Sequence, residues 1–201
     1  AKTSSNEAIA YVFEDGVLGG TGSIAGSVDN YGTIEPGDST TGTLTLKNFA
    51  TAKTTHLFVR PASVLRFKIA SASEHDQLNV NGSVKYFDMT QDFSISEEMP
   101  RIQIVIEKDA SIKVGDEFQL LTAKSKTSQV DNWNFELIQP ERYTWEIEEQ
   151  ETDGEFSIVA RLISFNDPEN LEDEGEQEDP DEGEKMGAFY DDGIDDQTNK
   201  N

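Results

Sequence analysis

The sequence predicts an all-β fold. Three observations carry the prediction. Short runs of β-formers fill the chain up to about residue 166, and Gly, Asn, Asp, Ser and Pro punctuate them. Several runs alternate apolar and polar residues, as a strand with one buried face must. No window carries the 3.6-residue periodicity of an amphipathic helix.

The stretch GGTGSIAGSVDNYGTIEPGDSTTGTLTL, residues 19–46, sets the architecture. Single apolar residues (Ile24, Val28, Ile34, Leu44, Leu46) return between glycines at short intervals. Strands of two to four residues with Gly or Asn at each corner suit a solenoid, in which each turn of the chain adds a short strand to a parallel stack. Gly and Asn tolerate the positive φ of tight corners.

Longer runs follow. In VLRFKI, Leu65, Phe67 and Ile69 share one face and Arg66 and Lys68 the other. In RIQIVI, Ile102, Ile104 and Ile106 align. The strands AYVF, HLFV, QLNV, SVKYF, EFQLL, NFELI, TWEI and FSIVARLI complete the set. Three dipeptides carry hairpin chemistry: Asp15-Gly16, Asn81-Gly82 and Asp153-Gly154. The last stands between YTWEIEEQ and EFSIVARLI, which predicts a terminal antiparallel hairpin that caps the stack.

The chain has 201 residues, with 40 acidic and 16 basic side chains and a formal net charge of −24. That balance points away from nucleic acid and from anionic membranes, and toward a soluble surface protein or one that holds cations. Membrane insertion is not expected, because no apolar run approaches the roughly 20 residues of a membrane span. With no cysteine, disulfides, Cys-type metal sites and thiol nucleophiles are excluded. Residues 167–201 hold 15 of the acids and 2 of the bases. Residues 167–185 read as a flexible, self-repelling linker, followed by the patch MGAFYDDGI. The predicted organisation is therefore a β module over 1–166 and an acidic tail over 167–201.

The segment GGTGSIAGSVDNYGTIEPGDSTTGTLTLKNF resembles the recurring segment of bacterial autotransporter passenger domains, G-G-T-G-x-I/V-x-G-x-V-x-N-x-G-x-I/L-x-P-G-x-S-x-G-T-L-T-V. The similarity continues through Asp76, Leu78, Val80 and Gly82 (D-x-L-x-V-x-G) and through Val114, Gly115, Asp116, Phe118, Leu120 and Leu121 (V-G-D-x-F-x-L-L). It covers roughly residues 19–123. It implies a right-handed parallel β-helix on a secreted or cell-surface bacterial protein. Such modules are also similar to non-catalytic segments of secreted glycoside hydrolases of the xylanase type. The chain departs from the pattern in its polar insertion, residues 85–101, and in the acidic linker that stands where a translocator barrel would follow.

No catalytic constellation is present. His56 and His75 lack a ligand pattern, and no G-x-S-x-G elbow occurs. Asp76, Asp88, Asp92 and Asp116 are the candidates for a carboxylate pair of the glycosidase kind. For Asp76 and Asp116, acceptance of backbone N–H bonds at corners is the competing assignment. Asp191, Asp192, Asp195 and Asp196 cluster without the spacing of a calcium loop, so weak calcium binding competes there with a solvated linker.

Sugars are held by flat rings stacked on their C–H faces. Trp133, Phe135, Tyr143 and Trp145 are the candidate stacking residues, since alternation places each pair on one face. The competing reading makes that face the apolar side of the cap. Tyr86, Phe87 and Phe93 form a second aromatic group. The expectation is a monomeric, non-catalytic module without a cofactor, whose partner is a polysaccharide or a neighbouring domain of the same chain, such as a xylan-type glycoside hydrolase. The alternative is a structural spacer from an adhesin-like passenger.

Overall fold

The computed structural model describes residues 8–49, 54–86, 99–128 and 135–166. Fifteen strands are present among them. They are β1 (Ile9–Val12), β2 (Val17–Gly20), β3 (Gly22–Ala25), β4 (Ser27–Asn30), β5 (Thr33–Pro36), β6 (Thr43–Lys47), β7 (His56–Val59) and β8 (Val64–Ser71). Then come β9 (Glu74–His75), β10 (Gln77–Tyr86), β11 (Arg101–Ser111), β12 (Glu117–Ser128), β13 (Glu136–Ile138), β14 (Tyr143–Thr152) and β15 (Glu155–Phe165). No helix occurs among the described residues, so the expected all-β class holds.

The chain shuttles between two sheets. A nine-stranded sheet runs β1-β4-β7-β10-β12-β15-β14, with β6 paired to β10 and β3 paired to β6. A six-stranded sheet runs β13-β11-β8-β5-β2, with β9 on β8. From β1 to β13 the strands pair in parallel, apart from the small β8–β9 contact and an isolated antiparallel bridge between Gly20 and Gly37.

Because pairing is in register, residues far apart in sequence form columns across the strands. Leu44, Leu78 and Leu121 occupy one register position on successive strands. Leu46, Val80 and Ala123 occupy the next inward one, and Ile34, Leu65 and Ile102 do the same in the second sheet. All nine are almost wholly enclosed. This core explains the opening pattern: single apolar residues between glycines suffice because each stacks on its register partner from the neighbouring parallel strand. Phe67 lies beside Ile104 and is fully buried, as alternation predicts.

The three hairpin dipeptides part company. Asp153 and Gly154 sit at φ 53° and 80°, the two positive values a two-residue hairpin turn requires, and join β14 to β15 antiparallel. Asn81-Gly82 makes no hairpin. It lies inside β10, whose first half pairs with β6 and whose second half pairs with β7. A Cβ on Gly82 would stand 1.8 Å from the carbonyl oxygen of Thr55, so only glycine lets the chain pass there. Asp15-Gly16 turns the chain from β1 in one sheet to β2 in the other. Corner and hairpin draw on the same residues, because both need a tight backbone reversal.

The two ends of the nine-stranded sheet differ. Its last strand, β14, carries Glu146, Glu148, Glu149 and Glu151, charges that discourage edge-to-edge pairing. The opposite edge strand, β1, leaves Ile9 and Tyr11 exposed.

Candidate functional site

Alternation sends Val12, Val28, Leu57, Val59 and Val84 inward on β1, β4, β7 and the second half of β10. The residues between them must then face outward. One outward column reads Tyr11, Asp29, Phe58, Lys85 across four strands. Beside it, Ile9 pairs with Ser27 and His56 with Ser83. The residues that follow Val12, Asn30 and Val59 are Phe13, Tyr31 and Arg60. The outer face of this sheet therefore carries four aromatic rings and two permanent cations.

Two of the rings are open. Tyr11 is 55% exposed and Phe13 74%, and they lie nearly parallel with centroids 6.5 Å apart and planes 20° from each other. With Glu14, Asp15, Gly16 and Tyr31 they line a groove of about 650 Å³. Large apolar rings left in water at an interplanar angle this small, rimmed by carboxylates, form a flat platform with polar groups in reach.

Arg60 packs beside Tyr31, one of the residues that line the groove. Its Nε donates to Asp29 Oδ1 at 2.6 Å and its Nη2 to Oδ2 at 2.8 Å. The guanidinium carbon lies 5.2 Å from the Tyr31 ring centroid and 5.8 Å from that of Phe58. The bonds to Asp29 raise the Arg60 pKa further, against the opposing pull of burial. Lys85 Nζ stands 5.7 Å from the Phe58 centroid and 3.4 Å from His56 Nε2.

His56 Nδ1 lies 2.7 Å from Ser83 Oγ, a contact that invites comparison with a nucleophilic pair. The polarity is wrong for it. An ammonium offers only hydrogens, so Nε2 facing Lys85 accepts and Nδ1 carries the proton toward Ser83. An imidazole that donates to the serine does not take its proton.

The carboxylates named from the sequence sit elsewhere. Asp76 is fully buried, accepting N–H bonds from Gly42 at 2.8 Å and Lys68 at 2.9 Å. Burial pushes it up to about 6, opposed by those two bonds. Asp116 Oδ2 accepts the Lys113 N–H at 2.8 Å. Both side chains close loops in the backbone. Asp88, Asp92, Phe87, Phe93 and the aspartates from Asp191 to Asp196 lie outside the described residues. Among the described residues no group of three His, Asp or Glu side chains could hold a metal ion.

Of the four stacking residues read from the sequence, Trp133 also lies outside the described residues. The others do not form one open face. Phe135 precedes β13, which pairs with β11 in the six-stranded sheet, whereas Tyr143 and Trp145 lie on β14 in the nine-stranded sheet. Trp145 is only 5% exposed and packs edge-on against Phe118, centroids 5.5 Å apart. A ring so covered has no face to lay on a sugar; it serves the core instead. Tyr143 is half-buried and stacks on Phe165 at 6.0 Å, and half-buried Phe135 packs against the core.

Sequence reading missed the outward face because its members are scattered. The signal lay in four segments with one pattern, AYVF, VDNY, LFVR and VKYF, whose second and fourth positions carry most of the rings and cations. No protein-family model matches the chain, and no curated protein matches it.

Proposed function

We propose that this chain is a non-catalytic, polysaccharide-binding module of a secreted or cell-surface bacterial multidomain protein. In this reading the parallel stack is a short right-handed β-helix closed by the β14–β15 hairpin, and the catalytic domain of a polysaccharide-degrading enzyme lies outside the chain. The in-register parallel columns and the resemblance over residues 19–123 support the β-helix. The exposed, near-parallel Tyr11 and Phe13 rings, which line one groove with Glu14 and Asp15, carry the functional part. Rings present a C–H-stacking surface at low entropic cost, and carboxylates reach hydroxyls. Asp76 and Asp116, absorbed in backbone bonds, leave the module a binder rather than a hydrolase in this reading.

The test is retention of the purified chain on a panel of soluble and insoluble polysaccharides, xylans included. Retention that disappears in Tyr11→Ala/Phe13→Ala supports the platform. Retention of none of them, by a folded wild-type chain, turns the assignment to a structural spacer.

A further inference from the structure

We propose that Lys85 forms an anion-reading subsite of this face, which takes the carboxylate of a uronic-acid residue in the bound polysaccharide. The inference rests on the platform reading above and adds the chemical class of the ligand.

Lys85 is unusual in its surroundings. In a chain with 40 acidic residues, most half-buried and buried cations find carboxylates: Arg60 holds Asp29, Arg66 and Lys68 share Glu35, and Lys126 meets Glu149, while half-buried Arg101 donates to the Ala62 carbonyl oxygen at 2.9 Å. Half-buried Lys85 meets no carboxylate among the described residues. Its contacts are the Phe58 ring and His56 Nε2. Its register neighbours are Phe58 on one side and Thr127 on the other, and next to them stand His56, Ser83 and Ser125. Among the described residues these neighbours include no acid.

A partly covered ammonium with no counter-ion is under-compensated, and a carboxylate brought by a ligand supplies what is missing. Of its three hydrogens one points to His56, which leaves the others for the ligand. The chain's overall negative charge does not forbid this, since at physiological salt charges beyond roughly 8 Å are largely screened.

Geometry adds a length requirement. Tyr11 and Lys85 are three strands apart, about 14 Å at the usual strand spacing. A single sugar cannot touch both. The ligand is an oligomer that stacks one unit on Tyr11 and Phe13 and presents a uronate further along, above β10.

The experiment compares retention of the full chain on a polyuronate, on the same polymer with its carboxylates methyl-esterified, and on a neutral xylan, at physiological salt. The wild type is expected to bind the free acid about tenfold more tightly than the ester. Lys85→Gln should bind both forms equally and keep the affinity for the ester, while Lys85→Arg should restore the preference. Tyr11→Ala/Phe13→Ala should lose all three polymers. Equal binding of acid and ester by the wild type, or a preference that survives in folded Lys85→Gln, overturns the subsite and leaves the platform standing. No retention of any polymer overturns both.

Discussion

Arg60, just past the end of β7, grips Asp29 on the neighbouring strand β4 through two bonds, at 2.6 and 2.8 Å, with both side chains largely covered. The pair stands outside the apolar core yet is shielded by Tyr31 and Phe58, whose rings flank the guanidinium. Removing the cation would strand a covered carboxylate. Arg60→Ala should therefore cost about 3 kcal/mol, and adding Asp29→Ala should recover part of the loss. Urea denaturation of the two single variants and the double variant checks this. Strict additivity of the two costs would mean the pair is solvated in solution.

Phe67 is the largest wholly enclosed side chain of the second sheet and touches the column of Ile104. Phe67→Ala should lower stability by about 3–5 kcal/mol. An unchanged denaturation midpoint would place Phe67 on the outer face and shift the register of β8 by one residue.

Gly82 permits the closest passage in the fold, with Thr55 carbonyl oxygen 1.8 Å from where a Cβ would stand. Gly82→Ala must push β10 away from the segment before β7. The expected result is a loss of several kcal/mol, of the order found for overpacked cores, or failure to fold. A Gly82→Ala chain as stable as the wild type would show that β10 does not approach Thr55.

Asp76 gives the fold a pH signature. Burial raises it to about 6 from an ordinary 3.8, so the folded chain binds this proton more tightly than the unfolded chain. Its contribution is fully present below about pH 4 and is lost as pH rises through about 6, amounting to at most about 3 kcal/mol. Asp76→Asn removes the titration. The stability of the wild type relative to Asp76→Asn should thus be more favourable at pH 4.5 than at pH 7.5. A gap that is independent of pH would contradict the raised value.

Much of the scaffold could be read from the residues. Alternation in VLRFKI and RIQIVI identified the buried faces of β8 and β11, and Asp153-Gly154 marked the β14–β15 hairpin. The same turn chemistry misled at Asn81-Gly82, because a dipeptide reports a tight backbone and not which strands it joins. The site was harder. Trp133, Phe135, Tyr143 and Trp145 drew notice by being close in sequence, but β13 and β14 went to different sheets and Trp145 went inside. Tyr11, Tyr31, Phe58 and Lys85 are distant in sequence and meet only through parallel register. That register depends on how much chain lies between one strand and its partner, a quantity no local pattern encodes.

The most direct test of the account is a calorimetric titration of the wild-type chain and of Tyr11→Ala/Phe13→Ala with the polysaccharide retained in the panel. Both substituted rings are exposed, so the variant should keep the wild-type denaturation midpoint. The account predicts a saturable isotherm for the wild type and, for the variant, an affinity weakened by about tenfold or more, the combined worth of two stacked rings. An unchanged affinity in the folded variant would contradict it and move any binding surface away from the outer face of β1 and β4.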